Sequence, residues 1–423
     1  MQKVLLFVLC AYAFSCSFTS AFAFSDIITL PNVFLGLSAL LLLIKLAVSG
    51  LRIKRFSEDI YVVLFLCIAF LSFCLNNIAG FNAKSLNHLI AYSFSVIVLF
   101  FVFRFLLLNS LSSDGDKFVF LKWLYRGVYF ACFFGVLEFV IKNFFGIQLD
   151  EIVPRSLAGE YNPTVLGEYI RIRSFVQESG HFALFLEILG PLAFYYKFYS
   201  KCENGFVSKA LFIVVFSLAF ILTLSTTAFA NVVIVLLILC INQIYNIVKK
   251  KAVSKRFIFT AIVFFVFITG ITYYLLFVND FLGSILDEVL VGKLSSSGSA
   301  DDRNNRIQEV FKIFLTGNWI NFLFGYGPGA YDRLKIESII SLYVNLFLEL
   351  GLLGLTTFIL LIKSIFSRVL LNKNRYLRTA LVISLITASI HYMAISNYWY
   401  PWIWMLFAVV QYFDKYPIIN SLK

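Results

Sequence analysis

Charge is scarce in this chain. Lys, Arg, Asp and Glu make up 14% of its residues, where a soluble globular chain carries about 25%, and a water-facing surface cannot be built from so few. Only three histidines and seven prolines occur. The cysteines, Cys10, Cys16, Cys67, Cys74, Cys132, Cys202 and Cys240, lie mainly in apolar runs with no Cys-x-x-Cys spacing, so neither a disulfide framework nor a thiolate metal site is indicated. No His, Asp and Glu sit at a ligand spacing such as His-Glu-x-x-His, which argues against a metal centre. The glycine-rich stretch GYGPGAY, Gly325 to Tyr331, lacks the Gly-Lys-Ser/Thr of a nucleotide loop and reads as a tight turn. No cofactor is expected.

Apolar residues are abundant instead. They make up 61% of 423 residues, and runs long enough to cross about 30 Å of hydrocarbon recur from end to end. The expectation is an all-α polytopic membrane protein, one domain over 1–423. Reading the runs as helices gives twelve spans at 4–24, 31–48, 60–80, 87–108, 118–142, 181–199, 209–223, 226–246, 256–277, 337–362, 378–395 and 398–414. The basic, apolar, small-residue start also has the look of a cleavable signal peptide; an uncleaved first helix is the reading preferred. The break at Thr223 to Thr227 separates two spans, because merging 209–246 would move the triple lysine at 249–251 to the other side. With both termini inside, the inner segments carry 22 basic residues against 11 outside, as the positive-inside rule demands. The net charge of +12 is therefore a topology signal and not a nucleic-acid footprint. Two long loops, 143–180 and 278–336, then face outward into the periplasm, both rich in apolar and aromatic anchors except for a flexible strip at 293–305.

The outer loops hold the candidate chemistry. Arg155, Arg171, Arg173, Arg303, Arg306 and Arg333 run against the positive-inside trend. Singly each reads as a solvated loop charge; together their planar forks suit bidentate recognition of a phosphate-bearing substrate. Glu178 is either a carboxylate complementing a helix start or a general base, and His181, three residues on, is an interfacial packing residue or a catalyst. Glu138 and Glu187 lie within spans, where burial in lipid is costly, and should face the bundle interior or a polar cavity. All three histidines, His88, His181 and His391, fall at outer helix ends.

Four segments, in this order, resemble the O-antigen polymerase and ligase superfamily of bacterial surface-polysaccharide assembly: RIRSFVQESGHFA (171–183), LTLSTTAFA (222–230), RIQEVFKIFLTGNWINFLFGYGPGAY (306–331) and SLYVNLFLELGLLGL (341–355). The resemblance covers the carboxyl-terminal half; the first five spans match only in hydropathy. It implies a metal-independent glycosyltransferase of the bacterial inner membrane. Such an enzyme works at the periplasmic face on undecaprenyl-diphosphate-linked oligosaccharide, with a chain-length regulator as membrane partner and no nucleic acid. Arg171, Arg173 and Arg306 would contact the diphosphate, Arg306 and Gly317 matching an Arg-x10-Gly spacing. Arg303 joins them as a neighbouring outer-loop arginine, and Glu178 and His181 stand as candidate proton acceptors. One departure favours polymerase over ligase: Gly351 and Gly354 align with the ligase signature, but Ile340 stands where its histidine belongs. A ligase acting on lipid A core and a lipid-linked oligosaccharide flippase are the rival expectations; the flippase predicts short loops and charges deep along a central path.

Overall fold

A computed structural model describes residues 1–25, 28–78, 80–147, 149, 153–155, 165–166, 169–199, 205–237 and 298–418. In chain order the helices are α1 Gln2–Ser15, α2 Leu30–Ser49, α3 Asp59–Asn77, α4 Ala83–Ser110, α5 Asp114–Phe144, α6 Ser179–Tyr199, α7 Phe206–Leu222 and α8 Thr226–Leu237. They continue with α9 Gly298–Thr316, α10 Trp319–Phe324, α11 Ala330–Leu334, α12 Leu342–Leu371, α13 Arg375–His391 and α14 Pro401–Lys415. Strand structure among the described residues is one antiparallel pair, Val165–Leu166 with Tyr169–Ile170. Five helices, α2, α3, α4, α5 and α12, are long and apolar enough to cross a membrane. The expected span 256–277, the basic run at 249–256 and the loop segment 278–297 lie outside the described residues.

Local chemistry sets the helix ends. Ser113 and Asp116 form a reciprocal capping box on α5, and Asn82, Asn318 and Asn374 cap α4, α10 and α13 with side-chain oxygens. Proline starts α14 and lies in the first turn of α2, where its missing N–H costs nothing. The break expected near Thr223 is present: α7 ends at Leu222, Leu224 turns through positive φ, and α8 begins at Thr226. The first span is shorter than its hydropathy indicates. Helix α1 stops at Ser15 because the chain beyond finds better partners elsewhere: Cys16 O accepts from Trp402 Nε1 at 2.7 Å, and the Ser20 and Ala21 amides donate to Phe175 O.

Helix α14 is buried on every side from Pro401 to Phe413, which marks it as the central element. Trp402, Trp404, Phe407 and Tyr412 are buried where this helix packs against α4, α6, α12 and α13. By contrast α2 turns Leu37, Leu40, Leu43 and Ile44 outward, a face that in water would be an aggregation patch and that hydrocarbon accommodates. Helix ends collect in two layers. In one, Arg368 contacts Glu58 at 2.8 Å and Asp414 at 2.6 Å, while Arg104 pairs with Asp59 and takes Gln411 at 3.0 Å. The other layer holds the cavity described next.

Helix α12 is broken. Gly351 sits at φ +67°, ψ −166°, a conformation open only to glycine at little cost, and a Cβ there would meet the Leu323 carbonyl at 2.4 Å. The break lets the loop after α10 lie directly on it, with Tyr326 N donating to Leu348 O and Gly327 N to Glu349 O.

Candidate active site

The segment from Arg171 to Glu178 is a shaped loop built around a buried carboxylate. Glu138 on α5 accepts the amides of Arg173 at 3.0 Å and Ser174 at 2.7 Å, and pairs with Lys142 at 3.0 Å and Arg155 at 3.7 Å. Arg155 also donates to the carbonyls of Ser174 and Val176. Ser174, at φ +51°, turns the chain and anchors its hydroxyl on Ala131 O. Phe175 then stacks between Phe18 and Phe134, with ring centroids 4.2 and 4.3 Å away. These contacts send the two arginines apart. Arg171 lines the cavity with its Nε on Thr223 O at 2.9 Å. Arg173 is buried, donates to Gln177 O, and is not among the lining residues.

The cavity has a volume of about 750 Å³, within the range of small-molecule sites. It gathers residues from the same end of α2, α4, α6, α8 and α13 and from the loops before α12 and α14. All three histidines line it, together with Arg171, Lys84, Glu178 and the aromatic run Tyr398, Trp399, Tyr400. Among the described residues Glu178 is the one acid in a lining that also holds Lys84 and Arg171, so the lining is cationic.

Two of the histidines carry a carboxylate. His391, at the end of α13, has Nδ1 2.7 Å from Glu187 Oε2, both groups buried. Asn231 donates to the same oxygen at 3.0 Å and to Thr387 O, fixing the carboxylate between α6, α8 and α13. His88 on α4 has Nδ1 3.0 Å from Glu349 Oε1, close but not aligned for a hydrogen bond, while Tyr92 donates to Glu349 Oε2 at 2.6 Å. His181 packs edge-on to Tyr400, whose hydroxyl is 3.3 Å from His181 Nδ1 and 3.1 Å from Gln177 Oε1.

The residues singled out by sequence are therefore distributed unevenly. Arg171, Glu178 and His181 share the cavity. Burial pushes the Glu178 carboxyl up, against the lowering pull first of Arg171 and then of Arg173. Arg306 on α9 pairs with Glu337 at 2.5 Å and donates to Ser338 O; Ser338 is a rim residue, so Arg306 holds the rim and is itself one step removed. Arg303 belongs to α9, and its side chain lies outside the described residues. Glu138 and Glu187 face the interior, Glu138 as the loop's anchor and Glu187 as the partner of His391. Ile340, where the ligase pattern calls for histidine, lines the cavity. Glu349 and Lys84 are not among the residues that sequence singles out, although a glutamate inside the run NLFLELGLLGL is the signal that membrane energetics makes conspicuous. Among the described residues no three His, Cys, Asp or Glu side chains group as a metal site.

The arrangement can bind an anion at Arg171 and take a proton at His391. None of the protein-family models matches this chain, and no curated protein matches it at significant similarity.

Proposed function

We propose that the cavity is the transfer site of a membrane glycosyltransferase of the O-antigen polymerase type, joining lipid-diphosphate-linked glycan repeats at the periplasmic face of a bacterial inner membrane. One observation carries this reading: His391, hydrogen-bonded to the buried Glu187, lines the same aromatic-rimmed, cationic cavity as Arg171. Tyr398, Trp399 and Tyr400 offer flat apolar faces for sugar rings. In the reaction the acceptor hydroxyl gives its proton to His391 Nε2 and its oxygen attacks the anomeric carbon. The bond from that carbon to the diphosphate oxygen breaks, and the growing glycan moves onto the acceptor. Glu187 holds the Nδ1 proton and stabilises the imidazolium that forms. The Arg171 guanidinium meets the charge that develops on the departing diphosphate.

His391 takes the place of Glu178 and His181 as the proton acceptor, since it alone has a well-aligned buried carboxylate behind it. Glu178 and Arg171 remain neighbours on the donor side. A transport reading finds less support, because the centre of the described fold is filled by α14 rather than by a polar path. The test is genetic and biochemical. Strains lacking the gene should make surface lipopolysaccharide capped by a single repeat, and purified protein should add repeats to lipid-linked units. Bare core in the deletion strain, with no extension in vitro, would overturn the proposal.

A further inference from the structure

The second carboxylate–histidine pair is unused by that mechanism, and so is the glycine-rich stretch at Gly325 to Tyr331. They meet. Gly329, at φ +67°, lies flat on α4: a Cβ there would approach Lys84 O at 3.1 Å and His88 Cδ2 at 3.4 Å. That approach seats Tyr331 on His88, with the hydroxyl 3.4 Å from Nε2 and the rings 5.5 Å apart edge-on. Arg333, two residues on, ties the loop to α3 through Asn76, donating to its backbone oxygen at 2.6 Å and its side-chain oxygen at 2.9 Å. On the far side of His88, Glu349 is held at the last turn before the α12 break by Tyr92, with the Ser72 hydroxyl and Gly327 amide fixing its carbonyl. The chain thus commits three loop glycines, a broken helix and a fully buried carboxylate to placing one imidazole between Glu349 and Tyr331. Both His88 and Tyr331 line the cavity, and the Lys84 ammonium stands 5.7 Å from the Tyr331 ring centre.

We infer that Glu349, His88 and Tyr331 form a second proton relay whose working end, the Tyr331 hydroxyl, protonates the departing diphosphate oxygen during transfer. This rests on the transferase reading above. Atoms and protons balance. The acceptor proton goes to His391, the glycosyl–oxygen bond breaks towards the diphosphate, and that oxygen takes the Tyr331 proton. Tyr331 is refilled from the Nε2–H of charged His88, with Glu349 facing Nδ1. Solvent exchange then removes one proton from His391 and returns one to His88. Tyr331 touches the reacting oxygen and is catalytic; His88 and Glu349 are positioning residues. The Gly-Tyr-Gly-Pro-Gly-Ala-Tyr stretch is then a device for close approach to α4 and not a phosphate cradle.

The test uses the full chain in lipid nanodiscs with undecaprenyl-diphosphate-linked repeat units extracted from producing cells, and reads kcat and KM across pH. An acid must hold its proton to act, so the unmodified protein should lose rate at the alkaline end. Tyr331→Phe keeps the ring and removes the donor. It should cut kcat by about 10²-fold or more with little change in KM, and the alkaline decline should vanish. His88→Gln and Glu349→Gln should move or abolish the same decline. Tyr331→Phe turning over at the unmodified rate, or keeping the alkaline decline unchanged, overturns the relay while leaving the transferase reading standing. An unmodified protein that never transfers glycan overturns both. Because Tyr331 is half-buried at the cavity wall, its variant decides the matter even where Glu349→Gln fails to fold.

Discussion

Replacing Glu187 by glutamine removes one charge and almost no volume, which makes it the sharpest probe of the proposed base. The carboxylate lies 2.7 Å from His391 Nδ1, and both side chains are at most 3% exposed. At an effective dielectric constant of about 20, a carboxylate and an imidazolium at that separation attract by roughly 6 kcal/mol. Not all of this reaches the transition state, because Asn231 and the glutamine oxygen still present a dipole to the ring. A loss of about 3–5 kcal/mol corresponds to roughly 10²–10⁴ in rate at about 1.36 kcal/mol per decade, the range that general-base assistance spans. Glu187→Gln is therefore expected to lower repeat addition by at least 10²-fold, and His391→Ala to do no better. Binding of lipid-linked donor should persist, since Arg171 is on another element. The assay is extension of purified lipid-linked repeats by protein in detergent or nanodiscs, counted as repeats added per unit time, beside a thermal unfolding curve. Glu187→Gln extending chains within threefold of the unmodified rate would refute the reasoning and return His391 to a structural role.

Three further outcomes follow from the same contacts, and a fourth from the topology. Arg171→Lys should weaken donor binding nearly as much as Arg171→Gln, because a bidentate fork on a diphosphate is not replaced by a point charge; full binding by the lysine variant would return Arg171 to an ordinary loop charge. Arg171→Gln should also raise the Glu178 carboxyl further, since it removes a cation that now holds it down; the carboxylic C=O infrared band should persist to higher pH, and the stability tied to proton uptake at Glu178, present at low pH and lost as pH rises, should be lost later. Glu138→Gln removes the carboxylate that pairs with Lys142 and Arg155, whose side chains are only 2% and 8% exposed, so it should cost about 1.5–3 kcal/mol; an unchanged unfolding midpoint would remove Glu138 as the anchor of the loop. Reporter fusions at Ser112 and Asn372 should read as cytoplasm and one at Gly146 as periplasm; the reverse would dismiss both the topology and the site.

How much was visible in the sequence depended on which physical signal each element sends. Apolar run length is a strong signal, and helices occupy every expected span that falls among the described residues. Their ends were less visible where a tertiary partner outcompeted the helix. Residues 16–24 are as apolar as the helix before them, yet the amides of Ser20 and Ala21 bond to Phe175 O and that of Phe22 to Pro154 O instead. The break expected between α7 and α8 is present, and the Thr223 and Ser225 side chains there return to nearby carbonyls and amides.

The site followed a different logic. Arg171 and Arg173 look equivalent in sequence, and in an extended strand they would share a face. What parts them is the set of partners each finds around the Ser174 turn: Arg171 donates to Thr223 O, while Arg173, its amide held by Glu138, donates to Gln177 O. No local pattern announces such a turn, because its cause is a long-range pairing. Histidines were the better guide. A residue that rare, placed three times near helix ends, converges on one cavity because each lies within about two turns of the terminus of a helix that ends in the same layer. The carboxylates behind two of them were detectable by cost alone: a glutamate inside an apolar run has to find a proton or a cation in the interior. Glu138 found Lys142 and Arg155, Glu187 found His391, and Glu349 found His88. Three buried carboxylates thus locate the loop anchor and both histidine pairs, whereas among the described residues Arg171 is the one arginine whose side chain lines the cavity.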